Sequence, residues 1–220
     1  MPLQVTLVRH GNTDANNERW LQGHVDTELN KNGLNQAACC GERLKLASYD
    51  HVYCSDLKRC KQTAAAILAH HSPDVSIDYL AILRERDFGE LSRQPLKYLF
   101  SESQQQGLSM DQFISNHDGE SELTFRSRAV SAWNFVIDDA QKKQYQSVLV
   151  VTHGGPLKYL TSYWIDNGFK AQDQHVQVAP VAQGNTAVTR INVTEKIIHE
   201  FNSTSHLQNQ NSNQPPPPAV

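Results

Sequence analysis

The apolar run over residues 3–8 ends directly in Arg9-His10-Gly11, and a second run over residues 148–151 ends in Thr152-His153-Gly154-Gly155. The second run is four β-forming residues in succession, which reads as a strand buried on both faces, the kind found in parallel sheets covered by helices. In an open α/β sheet, ligands bind just beyond the carboxyl ends of such strands. The two runs therefore predict an α/β fold and also the edge of the sheet where a site would lie. Each strand end delivers a histidine there, and the first also delivers an arginine.

Strand and helix alternate between these two points. A polar segment, residues 12–26, leads into a helix with Asn30 as N-cap and Leu34, Ala37, Ala38, Gly41 and Leu44 on its inward face. Residues 51–54 read as a short buried strand, and Ser55-Asp56 as the cap of a second helix that buries Leu57, Cys60, Ala64, Ile67 and Leu68. Residues 75–77 suit a further strand and 80–91 an irregular passage. The polar, Gln-rich stretch 92–118 is either a lid-like insertion of short helices or a mobile loop. A long amphipathic helix then carries Leu123, Val130, Trp133, Ile137 and Ala140, and Pro156 fits the first turn of the helix after the last buried strand. Residues 187–193 and 196–201 close the domain as a hairpin turning at Thr194-Glu195.

With 220 residues, 39% hydrophobic and 20% charged, the chain has the composition of one globular unit. Its formal net charge of −3 gives no electrostatic reason to expect nucleic acid or an anionic membrane as a partner. No stretch is long and apolar enough to span a bilayer, and no basic, signal-like segment precedes the first strand. Cys39, Cys40, Cys54 and Cys60 lie in or beside core elements rather than at a disulfide or zinc spacing, so a cytoplasmic protein with reduced thiols is expected. From residue 203 onward Asn, Gln and Ser dominate, and Pro215, Pro216, Pro217 and Pro218 precede the end. The expectation is a folded domain over 1–202 and a disordered tail over 203–220.

An imidazole beside a guanidinium at a strand end suits an anion that the histidine attacks while its neighbours hold the oxygens. Phosphoryl transfer fits, because there the protein mainly positions groups and stabilises charge on three equatorial oxygens. Arg9 and His10 supply two such groups. Arg59 supplies a third, from the first turn of a helix whose amino end already favours an anion, and His153 a fourth. Asn16, one short loop after His10, offers a neutral amide.

The segments Leu7-Val8-Arg9-His10-Gly11 with Asn16, Ser55-Asp56-Leu57-Lys58-Arg59 with Gln62-Thr63, Leu83-Arg84-Glu85-Arg86-Asp87-Phe88-Gly89, Asp118-Gly119-Glu120-Ser121 and Val150-Val151-Thr152-His153-Gly154 together resemble the histidine phosphatase superfamily, the phosphoglycerate mutase-like proteins. The motifs run in order over about residues 3–200. The resemblance implies a three-layer α/β/α sandwich with a mostly parallel central sheet, a phosphohistidine on His10, and Arg9, Arg59 and His153 holding the phosphoryl group. It implies further contacts from Asn16, Gly23, Ser55 and Gly154, and Glu85 as the proton donor, with no metal or organic cofactor required. No Asp follows His153, which separates the chain from the acid phosphatase and phytase branch.

One tension accompanies that reading. Arg84 and Arg86 flank Glu85, and nearby positive charge opposes a protonated carboxyl; an extended segment would turn both to the opposite face. Glu120 is the alternative acid. Hydrolysis is favoured over a phosphoglycerate mutase activity because residues 92–118 contain only Arg93 and Lys97 as cations, without the arginine pair of mutases. Among phosphatases the resemblance is nearest to the monofunctional fructose-2,6-bisphosphatase-like members, with Arg93, Lys97 and Lys158 available for a second phosphate. Lys158 stands where relatives often carry Arg, and a broad phosphatase of small phosphate esters is the companion reading. A non-catalytic member that only binds at the pocket is the remaining alternative, with a small phosphorylated metabolite as partner and the oligomeric state open. His70-His71 ends a helix and reads as a partner of its dipole rather than a metal site, His24, His51, His117, His175, His199 and His206 show no metal-ligand spacing, and Trp20 either walls the pocket or staples its loop.

Overall fold

The computed structural model describes residues 2–208. The strands are β1 (Gln4–Arg9), β2 (His51–Ser55), β3 (Ser76–Leu80), β4 (Ser147–Thr152), β5 (Lys170–Ala171), β6 (Val188–Asn192) and β7 (Ile197–Ser203). The helices are α1 (Asp14–Glu18), α2 (Lys31–Leu44), α3 (Lys58–Leu68), α4 (Leu96–Gln105), α5 (Met110–Ser115), α6 (Glu122–Lys142) and α7 (Gly154–Asp166). One sheet of order β3-β2-β4-β1-β6-β7-β5 runs through the molecule. β3, β2, β4 and β1 are mutually parallel, and β6 alone runs against its neighbours β1 and β7. The two runs that opened the sequence reading are thus adjacent central strands, with Arg9 directly opposite Thr152 in register.

Side chains that alternate along these strands feed two cores. Leu7, Tyr53 and Val150 pack on one face with Trp133 of α6 and Trp164 of α7; Val8, Cys54 and Val151 pack on the other with Cys40 of α2 and Ile67 of α3. That gives the three layers. A third, smaller cluster joins Leu21 to Leu91, Leu99, Phe113 and Ile114, so the insertion before α6 folds as the short helices α4 and α5. Among the described residues no helix is long and apolar enough to cross a membrane.

Several local expectations are corrected. Asn30 does cap α2, its side chain accepting from Gly33 N, but α2 buries Gly33, Ala37, Cys40, Gly41 and Leu44 and leaves Leu34 half exposed. A Cβ on Gly33 would lie 2.0 Å from the Asn12 carbonyl oxygen, so close backbone approach, rather than hydrophobicity, sets that face. In α6 the buried stripe starts at Phe125, and Leu123 is exposed. Neither Ser55 nor Asp56 caps α3: Ser55 bonds His153, Asp56 takes a bidentate pair from Arg84, and the free Lys58 N–H donates to Asp26 at 2.7 Å. Chain order also continues past residue 202. β7 reaches Ser203, and His206 bonds Arg43 and the Thr186 hydroxyl. The proline run at 215–218 lies outside the described residues.

Candidate active site

The carboxyl ends of β1 and β4 open into a cleft of about 690 Å³ whose walls include Arg9, His10, Asn16, Gly23, Arg59, Glu85, Gly154, Gly155 and Lys158. His10 follows the last residue of β1. Its Nδ1 donates to the Gly11 carbonyl at 2.7 Å, which fixes the tautomer and leaves Nε2 with its lone pair for a ligand. The ring of His153 stands beside it, centroids 5.2 Å apart at 61°. Burial, then Arg59 and Arg9, hold the His10 ring well below the usual histidine range. Burial, then Arg59, His10 and Arg9, do the same for His153. Both rings are therefore neutral, as a nitrogen nucleophile must be.

Two guanidiniums stand near this neutral ring, Arg59 fully buried and Arg9 partly so. Arg59, on the first turn of α3, donates Nε to His153 Nδ1 at 3.3 Å, Nη1 to the Val25 carbonyl and the Thr27 hydroxyl, and Nη2 to the Gly23 carbonyl at 2.8 Å. Four of its five N–H groups are placed, and one on Nη2 remains. Arg9 donates Nη1 to the Gln183 carbonyl, while its Nε is buried without a partner among the described residues. Burial pushes the pKa of both guanidiniums down. An orphaned buried donor of this kind costs about 1–3 kcal/mol.

Glu85 lies across the cleft on the passage after β3. Its Oε1 accepts from Arg86 N and its Oε2 from Gly155 N, both at 2.9 Å. The flanking cations are each occupied: Arg84 forks onto Asp56 at 2.6 and 2.7 Å, and Arg86 pairs with Asp111 at 2.5 Å. Arg84 turns away from the site as an extended segment requires, but Arg86 stays on the cleft wall, so its charge is met by a carboxylate rather than by distance. Glu120, the alternative acid, is not on the cleft wall; both of its oxygens are taken by Arg128, at 2.9 and 2.7 Å.

Other predicted positions separate by how their hydrogen bonds are spent. Asn16 Oδ1 accepts from Thr13 N, closing the cap of α1, so its Nδ2 is the group left for a ligand. His153 is fully buried behind the cleft wall, with Nδ1 bonded to Arg59 and Nε2 to Ser55 at 2.8 Å. Touching a phosphoryl oxygen would require His153 to exchange one of those bonds. Ser55 accordingly orients His153 and does not line the cleft, and Gly23 contributes its carbonyl to Arg59.

Arg93 and Lys97 are exposed and off the cleft. Leu96, Leu99 and Phe100 share the α4 face turned to the cleft, at helical spacing, which places Lys97 on a different face. Residues 93–96 are held along residues 19–21 by N–H bonds from Arg93, Leu21 and Leu96, and Arg93 sits there at φ 73°. The rim cations actually present are Arg19, Arg86 and Lys158. Trp20 both walls the cleft and bridges to Pro95.

Sequence reasoning missed the loop before β6. Ala182 lines the cleft, Gln183 receives Arg9, and Asn185 Nδ2 donates to the His10 carbonyl at 3.0 Å. No residue-type signal marks these positions, which act mainly through backbone and amide groups. No cluster of three or more His, Cys, Asp or Glu among the described residues is arranged to hold a metal ion.

The model of the histidine phosphatase superfamily (branch 1) matches residues 5–201. The chain is 32% identical over 214 residues to a Schizosaccharomyces pombe protein named a probable phosphatase, spanning 94% of this chain and 97% of that one. It is 27% identical over 212 residues to a broad-specificity phosphatase of Saccharomyces cerevisiae, spanning 93% and 87%. In fold it is similar to the crystal structure of phosphoglycerate mutase from Bacillus anthracis, with a TM-score of 0.79 at 21% identity over 93% of this chain and 95% of that one. The match from the first central strand to the last hairpin strand shows that the chain belongs to the histidine phosphatase superfamily.

Proposed function

We propose that the protein hydrolyses small phosphate monoesters through a phosphohistidine on His10, with Glu85 moving the proton. The observation that carries this reading is the neutral, tautomer-fixed ring of His10 set beside the buried Arg59 guanidinium and the partly buried Arg9, whose Nε is orphaned. His10 Nε2 attacks phosphorus, the bond from phosphorus to the ester oxygen breaks, and protonated Glu85 gives its proton to that oxygen. The resulting carboxylate then takes a proton from water as the water attacks phosphorus, the P–N bond breaks, and phosphate leaves with His10 restored. Arg9, Arg59 and the amino end of α7 stabilise charge on the equatorial oxygens. The phosphatase names of both yeast relatives support hydrolysis over phosphoryl transfer to a second metabolite.

For the substrate we favour a range of small phosphomonoesters over fructose-2,6-bisphosphate alone. Two of the three cations assigned to a second phosphate, Arg93 and Lys97, lie off the cleft, and half-exposed Phe100 and Met110 line it instead. The experiment is phosphate release from p-nitrophenyl phosphate, fructose-2,6-bisphosphate and 3-phosphoglycerate by wild type and His10→Ala, with mutase product measured alongside. Hydrolysis lost in His10→Ala supports the proposal. Equal rates for the two proteins favour a binding protein, and mutase product in excess of phosphate favours the isomerase.

A further inference from the structure

The Glu85 carboxylate is oriented by two backbone N–H groups, yet the backbone that carries it belongs to no sheet or helix. Thr152 Oγ1 donates to the Leu83 carbonyl at 2.8 Å and His24 Nε2 to the Glu85 carbonyl at 2.9 Å, but the side chain that bonds most of that backbone is on α6. Arg128 donates Nη2 to the Glu85 carbonyl at 3.0 Å, and Nη1 to the carbonyls of Arg84 at 2.9 Å and Ile82 at 3.0 Å. Its remaining N–H groups, on Nε and Nη2, go to the two oxygens of Glu120 at 2.9 and 2.7 Å. All five donors of the guanidinium are therefore used, three on the passage that carries Glu85. Its Cζ lies over the Phe125 ring, 5.1 Å from the centroid.

Glu120 closes the other side of this clamp. Its N–H donates to the Asp87 carbonyl at 2.9 Å, its carbonyl accepts Arg86 Nε at 2.8 Å, and its carboxylate neutralises Arg128. A planar fork with five fixed donors can hold three carbonyls and a carboxylate at once; a lysine at the same place can reach only a subset of them.

We infer that Arg128, paired with Glu120, is a positioning residue for proton transfer by Glu85: it touches no reacting atom but, by bonding three carbonyls of the passage, helps set where the Glu85 carboxyl stands. The inference rests on Glu85 being the proton donor. A purely structural role would destabilise the protein or slow all substrates alike. Positioning of a general acid has a distinct signature, because an alkoxide leaving group needs the proton and a nitrophenolate scarcely does.

The test compares kcat/KM for butyl phosphate and p-nitrophenyl phosphate in wild type, Glu85→Gln, Arg128→Met and Arg128→Lys, with orthovanadate inhibition as a check that the anion pocket is intact. Because kcat/KM ends at phosphohistidine formation, it isolates the step in which the leaving group is protonated. The expected result for Arg128→Met is a loss of roughly 100-fold on butyl phosphate and under about 5-fold on p-nitrophenyl phosphate, with unchanged vanadate affinity, since a displacement of about 1 Å costs on that order. Arg128→Lys, which keeps the charge and the fold, should show the same selectivity at smaller size. If Glu85→Gln is selective and both Arg128 variants slow the two esters equally, the inference is overturned while the role of Glu85 stands. If Glu85→Gln itself shows no selectivity, the assignment of Glu85 fails and the inference falls with it.

Discussion

Adding one methyl group at Gly155 should damage catalysis while leaving the fold intact. Gly155 is the second residue of α7, and its N–H donates to Glu85 Oε2 at 2.9 Å. A Cβ built there would lie 1.9 Å from Glu85 Oε1 and 2.8 Å from Phe125 Cζ. Restoring an ordinary contact of 3.4 Å means moving the carboxyl by the difference, about 1.5 Å, and a misplacement of about 1 Å in a reacting group costs roughly 100-fold. Gly155→Ala should therefore lose at least about 100-fold in kcat/KM on an alkyl phosphate. Stability should move little: alanine gains about 0.5–1 kcal/mol over glycine within a helix, and crowding against Phe125 offsets it. Gly154→Ala should lose less, because its Cβ would meet Arg9 Nε at 3.3 Å and ask that cleft-lining guanidinium for a shift of only a few tenths of an ångström. Steady-state phosphate release and thermal unfolding on both variants decide the matter. Wild-type rates in Gly155→Ala would refute the placement of Glu85, and a joint collapse of rate and stability would refute the claim that the carboxyl yields before the fold does.

Two further predictions concern stability. His10 and His153 stay neutral in the folded protein far below the pH at which the unfolded chain protonates them, near 6.5. The unfolded state then binds more protons, so stability is complete above about pH 6.5 and declines as pH falls, by up to about 1.4 kcal/mol per pH unit for each ring. Urea unfolding below about pH 6 should give a slope shallower by one such increment in His153→Gln, and equal slopes would count against buried neutral histidines. Asp26→Ala removes the acceptor of the first α3 N–H and should cost about 1 kcal/mol, seen as a fall in Tm of roughly 2–4 °C that Asp26→Asn largely avoids.

The two central strands and their ends were legible because the signal is local, whereas β5 went unread and β3 runs to Leu80, past its expected end. Unbroken β-formers at residues 148–151 needed no partner to be read as a central strand, and the Asn30 cap of α2 depends on bonds three residues apart. Helix faces were less legible. Leucine at 34 and 123 looks like core on hydrophobicity alone, yet glycine at 33 lets α2 approach the Asn12 backbone, and that contact turns Leu34 outward. The cap of α3 was illegible for another reason: its acceptor, Asp26, lies 32 residues away.

The same division governs the site. The sequence alone pointed to two imidazoles and two guanidiniums at strand-to-helix junctions on the carboxyl side of the sheet, because residue type and strand ends are local features of the chain; the carboxyl of Glu85 came from the superfamily resemblance, and the strand order from the fold. How each group is used was decided only by tertiary structure. His153 is turned onto Ser55 and Arg59, Arg93 and Lys97 face away while Arg19 and Arg86 reach the rim, Gln183 and Asn185 close over Arg9 and His10, and Arg128 holds the passage that carries Glu85. Each of these depends on which donor meets which acceptor across tens of residues, and such an allocation is fixed by packing in three dimensions rather than by any neighbouring residue.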